Sequence, residues 1–135
     1  MEVFTPYTID PEMTDELGHL NHVAAVKLFE VARDQWYEKA GLWGGRPWSE
    51  EEILGTIVVN INVNYRQECF EGEKVRVKTL PLRMGTKSYT LAQELLKPDG
   101  SVAVDGHATS VVMDMDRHEV IAVPKAMAQH FPGDQ

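Results

Sequence analysis

The spacing of hydrophobic positions in this chain changes near residue 56. Before that point, Ala25, Phe29, Ala32, Trp36 and Ala40 fall on one stripe at helical spacing. After it, Ile57, Val59, Ile61, Val63 and Tyr65 alternate with Val58, Asn60, Asn62 and Asn64. The first spacing predicts a helix over 22–40, with Asn21 as N-cap and Gly41 as stop. Its first half, Val23 to Phe29, is apolar nearly all round, which predicts a helix wrapped by other structure. Its second half carries Arg33, Asp34, Glu38 and Lys39 and should emerge into water. The second spacing predicts a half-buried strand.

Further strands are predicted over 74–80, where Val75, Val77 and Thr79 oppose Lys74, Arg76 and Lys78, and over 88–96, 101–114 and 119–123. Pro98-Asp99-Gly100 is a turn, and Pro124 can open a closing helix over 125–130. Val3 to Ile9 reads as a short first strand. Pro6 marks it as an edge, because proline cannot donate to a ladder. Asp10 to Gly18 is a polar turn. Residues 42–55 form a loop with Trp43 and Trp48, and Ser49 followed by Glu52 is a capping-box pattern for one helical turn there. Short turns between strands imply an antiparallel sheet. The expected class is α+β, a single domain over 1–135 with one long central helix wrapped by a curled sheet. Such a layer leaves open edges, and pairing them across a two-fold axis makes a dimer.

A chain of 135 residues, 43% hydrophobic and 25% charged, has the makeup of one ordinary globular domain. The single cysteine, Cys69, excludes an intramolecular disulfide. No secretory pattern opens the chain, and no run approaches the roughly 20 apolar residues of a membrane span. A cytoplasmic protein away from membranes is the expectation. The net charge of −8 argues against general affinity for nucleic acid.

Several chemistries have no sequence support. Gly-x-Ser-x-Gly, His-Glu-x-x-His and paired cysteines are all absent. His19 and His22 form a His-x-x-His without an obvious third ligand, so no metal and no cofactor are expected. What remains is Thr14-Asp15-Glu16-Leu17-Gly18-His19-Leu20-Asn21-His22, immediately before the long helix. A carboxylate can act as base or nucleophile. Gly18 permits a tight turn, and helix N-terminal N–H groups can stabilise an oxyanion. On spacing alone, Asp-x-x-Gly before a helix is more often simply a turn.

Asp15-x-x-Gly18-His19-x-Asn21, continuing into Phe29-Glu30-x-Ala32-Arg33, resembles the signature of the hotdog-fold thioesterases of the 4-hydroxybenzoyl-CoA type. The similarity extends through Val58 to Val77 with a break at Phe70-Glu71-Gly72-Glu73, then Gly85-Thr86-Lys87-Ser88, the Pro98-Asp99-Gly100 turn and Val123-Pro124. The resemblance implies a hotdog fold, active sites at a homodimer interface and often a dimer of dimers. It implies hydrolysis of an acyl-CoA or acyl-carrier-protein thioester, with Asp15 as base or nucleophile and the backbone N–H of His22 or Val23 as oxyanion donor. Gly18, His19, Asn21 and Ser88 would contact substrate. Other branches of the fold carry their acid on the helix, where Glu30 lies. Members often have a second Asn at His22 and an aromatic at Ala25, so Ala25 implies room for a bulkier acyl group. The basic stretch from Lys74 to Lys97, whose only acid is Glu94, could meet coenzyme A phosphates or an acidic carrier, with Arg83 and Lys87 foremost. Other functions on this fold are acyl-thioester binding without turnover, and dehydration, for which only His19 or His22 beside Asp15 could serve.

Overall fold

The computed structural model describes residues 1–42 and 54–132. In chain order these form β1 (Val3–Thr8), a 3-10 turn (Pro11–Met13), α1 (His22–Lys39), β2 (Leu54–Tyr65), β3 (Lys74–Met84), β4 (Ser88–Leu96), β5 (Val102–Asp114), β6 (Glu119–Ile121) and α2 (Lys125–Ala128). The predicted elements are all present within a few residues of their expected ends. The Trp43, Trp48 and Ser49–Glu52 readings fall outside the described residues. The sheet is antiparallel throughout, in the order β1-β3-β4-β5-β2, with β6 added to the far end of β5. β1, the strand with Pro6, is an edge, as its proline requires. β3 continues past Pro81 to Met84, because the register slips by a residue between Pro81 and Arg83 and absorbs the missing donor.

One face of the sheet curls over α1. Asn21 caps the helix, its side chain accepting from Ala24 N at 2.8 Å. Gly41, at φ 80°, ends it in the left-handed conformation that favours glycine. The predicted stripe is the buried one: Ala25, Phe29, Ala32 and Trp36 are at most 3% exposed. Burial of each large side chain contributes roughly 1.5–3 kcal/mol. Two apolar clusters lie under the helix, one around Leu28, Phe29, Val77 and Leu95, the other around Trp36, Tyr89, Leu91 and Phe131. Gln93, on the same buried face, donates to Phe29 O at 2.9 Å and Thr79 Oγ1 at 3.1 Å and accepts from Arg33 Nη1 at 3.0 Å. Every polar end of that buried amide is thus used.

Three expectations need correction. Arg33, expected in water with the second half of α1, is buried and donates to Gln93. The helix is not wrapped all round: Val23 is 67% exposed, because the sheet covers one side of α1 only. β2 is not half-buried within the chain either. Among the described residues it pairs only with β5, and Ile57, Val58, Val59, Ile61 and Tyr65 are all exposed. Among the described residues no helix is long and apolar enough to cross a membrane.

β2 holds its place through a close approach at Gly106 of β5. A Cβ there would lie 2.0 Å from Asn62 O and 3.1 Å from Val63 Cα. Gly106→Ala is expected to cost about 3 kcal/mol in urea unfolding, the scale of severe overpacking. Hydrogen exchange should accelerate first in the β2 amides.

Candidate functional site

The segment before α1 folds as a small hairpin. Thr14 pairs with Leu20 as an antiparallel bridge. Asp15 N donates to His19 O at 2.9 Å, and Asn21 N donates to Met13 O at 2.9 Å. Gly18, at φ 80°, supplies the turn, where a side chain would be strained. The hairpin therefore feeds directly into the N-cap, and the sequence Asp-x-x-Gly-His-x-Asn is one local structure.

At its tip, Asp15 is exposed. Its Oδ1 accepts from Leu17 N at 2.9 Å and His19 N at 3.1 Å. Oδ2 meets no donor among the described residues. The His19 N–H foremost holds the carboxyl below its ordinary value, against the opposing effect of desolvation and with help from the Leu17 N–H. These are N–H groups of the turn, not of the helix. At the helix start, Ala24 N and Ala25 N bond Asn21. His22 N and Val23 N have no acceptor among the described residues, as first-turn donors do not.

A second segment closes on this hairpin. Leu20 N donates to Cys69 O at 2.8 Å, and Glu71 N donates to Gly18 O at 3.1 Å. His19 pairs with Phe70 in an isolated bridge, and their rings meet edge to face at 5.0 Å. His19 Nδ1 lies 3.2 Å from Glu68 Oε1. Lys97, half-buried at the end of β4, donates through Nζ to Glu68 O at 2.6 Å and Glu73 Oε1 at 3.1 Å. At the end of β2, the Tyr65 hydroxyl donates to His22 O at 3.0 Å. Glu68, Phe70 and Tyr65 were not singled out from the sequence, because nothing local marks a residue that reaches a site across more than 40 positions.

Asp15, Gly18, His19, Asn21, His22 and Val23 are thus brought together. Ala25 lies one turn inward, fully buried in the core under α1, where a larger side chain would displace core neighbours. Glu30 is exposed and pairs with Lys27 Nζ at 3.0 Å rather than with Arg33. The Lys27 hydrogen bond lowers its carboxyl pKa. Cys69 is buried, and desolvation raises its thiol pKa, the opposite of an activated nucleophile. The basic stretch divides. Lys78 pairs with Glu94 at 3.2 Å and Lys97 is used internally, whereas Arg83 and Lys87 are exposed on the β3–β4 hairpin with Ser88 beside them. That hairpin stands at the opposite end of the sheet from Asp15. β3 begins beside the Phe70 loop at Lys74, and Arg83 lies nine residues further, about 30 Å along a strand. Between α1 and β2 runs a narrow slot, with Val26, Phe29, Ile61 and Val63 as walls and Arg33, Gln93 and His107 on its polar side.

A helix packed on a curled antiparallel sheet is the fold of the hotdog thioesterases. The sequence profile of the thioesterase-like superfamily matches residues 9–131, and the chain belongs to that family. It is 26% identical over 110 residues to the long-chain acyl-CoA thioesterase FadM of Escherichia coli (strain K12), covering 81% of each chain. Among solved structures, it resembles DHNA-CoA thioesterase from Staphylococcus aureus (TM-score 0.75, 26% identity, 90% of this chain and 80% of that one). It also shares its fold with SAV2348 of S. aureus, determined in complex with CoA (TM-score 0.82, 15% identity, 100% of this chain and 89% of that one). The enzyme class is that of a thioesterase.

Proposed function

We propose that this protein hydrolyses an acyl-CoA to the free acid and coenzyme A, with Asp15 at the reacting centre. The observation that carries the assignment is the exposed Asp15 carboxylate on the hairpin leading into α1; among the described residues its Oδ2 meets no donor, and the first helix N–H groups, at His22 and Val23, meet no acceptor. Those N–H groups are the oxyanion donors for the thioester carbonyl. Asp15 acts on the carbonyl carbon as nucleophile, or on a water that attacks it. Gly18, His19 and Asn21 shape the hairpin around the reacting group, and no cofactor takes part. The named substrates of the FadM and DHNA-CoA relatives, and the CoA seen with SAV2348, support coenzyme A as the carrier.

The working unit in this reading is a homodimer across the free edge of β2. Five exposed apolar side chains on one strand are the patch such pairing would cover. An antiparallel two-fold pairing exchanges strand ends. The Tyr65 end of β2 adjoins His22, whereas its Ile57 end lies opposite Val111, itself opposite Ser88. Pairing therefore carries Arg83, Lys87 and Ser88 of the second copy towards the Asp15 hairpin of the first, and these are the groups that take the phosphates of coenzyme A. Assembly of two dimers into a tetramer is compatible with this unit.

Asp15→Asn tests the assignment directly, with thiol release measured over a panel of acyl-CoAs. Asn retains an oxygen for the Leu17 and His19 N–H groups, so the fold should persist. Turnover should fall about 100-fold or more with little change in KM. Retained turnover in the folded variant would show Asp15 to be a turn residue. Arg83→Ala and Lys87→Ala should each raise KM several-fold at constant kcat, and the effect should shrink with added salt. Unchanged KM in both would remove that hairpin from the site. Val59→Asp places a charge in the proposed seam. It should give a folded monomer in analytical ultracentrifugation, with activity lost; an active monomer would place the whole site in one chain.

A further inference from the structure

Asp15 is poorly suited to take a proton. The two turn N–H groups on Oδ1 keep its carboxyl pKa low, and a general base is most effective when its pKa lies near the working pH. His19 faces it across the hairpin: the His19 N–H is one of those two donors, and the Asp15 N–H returns a bond to His19 O. The ring is fixed on one side by Glu68, 3.2 Å from Nδ1, and on another by the edge-to-face contact with Phe70. Glu68 in turn is set by a braced segment. Lys97 grips its carbonyl, and the flanking Cys69 and Glu71 bond Leu20 and Gly18 of the hairpin. An imidazole whose Nδ1 faces a carboxylate carries its proton there and presents Nε2 as an acceptor.

We propose that His19 Nε2 is the proton acceptor for the hydrolytic water, with Glu68 as the positioning residue that fixes its tautomer and balances the imidazolium as it forms. The inference rests on the thioesterase reading above and assigns the proton within it. Water gives one proton to Nε2 while its oxygen bonds to the acyl carbon, either of the thioester or of an acyl group carried by Asp15. In direct attack, the C–S bond then breaks with its electron pair going to sulfur, and the proton on Nε2 passes to the thiolate. In the Asp15-borne route, C–S cleavage comes first, water then splits the acyl–Asp15 bond, and the same proton completes the departed thiol. Either way, one thioester and one water give one acid and one thiol. The charged groups about the ring are Asp15 on the hairpin, Glu68 and Glu71 on the facing segment, and the Lys97–Glu73 pair behind Phe70.

The test is a double-mutant cycle on His19→Gln and Glu68→Gln, using the acyl-CoA of the panel that the wild type cleaves fastest, with melting followed in parallel. His19→Gln should lose about 100-fold in kcat, with KM within twofold. Glu68→Gln should lose about tenfold, and the double variant should be no slower than His19→Gln alone, because Glu68 acts through the ring. Added imidazole should restore part of the turnover of His19→Gly. Wild-type kcat in His19→Gln overturns the proposal. Multiplicative losses in the double variant overturn the coupling to Glu68. If Asp15→Asn is inactive while His19→Gln is not, this inference alone fails. If the wild type releases no thiol from any acyl-CoA, the functional reading beneath it fails.

Discussion

The close seating of α1 on the sheet is the constraint from which the rest of the molecule follows. Ala25 and Ala32 are completely buried, and their small side chains let the helix approach while Phe29 and Trp36 fill the space on either side. A helix so placed has one fixed direction and one fixed beginning. Its beginning is Asn21, already bonded to Met13, so the hairpin that carries Asp15 has little freedom left. The Arg33–Gln93–Thr79 bonds work in the same direction: they tie the middle of the helix to the centre of the sheet through groups that would be costly to leave unpaired. The proposed reacting centre is therefore positioned by packing, with loop conformation supplying only the final turn.

β2 shows what the single chain lacks. Its alternation is as regular as that of β3, yet β3 buries Val75, Val77 and Thr79 whereas Ile57, Val58, Val59, Ile61 and Tyr65 of β2 stay exposed. The difference is topological. β3 lies between β1 and β4, with α1 across its face, whereas among the described residues β2 has a neighbour on one side only. An apolar strand at an open edge invites pairing, and this one carries neither an inward charge nor a proline to discourage it. In the proposed dimer the same pairing would cover the strand and bring the basic β3–β4 hairpin to the opposite copy's Asp15. Stability and site would then share one interface.

Much of this was legible in the sequence, for identifiable reasons. The helix boundaries were readable because Asn21 and Gly41 perform local jobs that only a few residue types do well. The strands were readable because period-two alternation survives whichever neighbour a strand acquires. Burial was less legible: alternation in β2 says that one face wants cover, but not whether the cover comes from the same chain. The apolar first half of α1 misled in the same way, since Val23 is exposed in the single chain. The proposed site was legible only where it is contiguous. Asp15, Gly18, His19 and Asn21 form one hairpin and could be read as a unit. Glu68 and Tyr65 reach that hairpin from the end of β2, and Lys97 braces it from β4, none with a local mark. Arg83, Lys78 and Lys97 look alike in a basic stretch, and only their neighbours distinguish an engaged cation from a free one.

The hairpin also imposes a division of labour. The bonds that hold Asp15 in place stabilise its charged form, so the geometry that fixes the carboxylate weakens it as a base. A burying environment would raise its basicity, but the tip of an exposed turn offers none in the single chain. An exposed, firmly held, weakly basic carboxylate is still useful for lining up a water or attacking an activated carbonyl, because neither task requires it to keep a proton. In the proposed mechanism the proton goes to the residue across the hairpin, whose main chain bonds both the Asp15 N–H and the Asp15 carboxylate. His19 is held by the hairpin on its main-chain side and by Glu68 on its ring side. Its orientation thus depends on the Lys97-braced segment as much as on its own turn. In the proposed mechanism, that is why a site read as one short motif needs a second segment from the far side of the sequence to complete it.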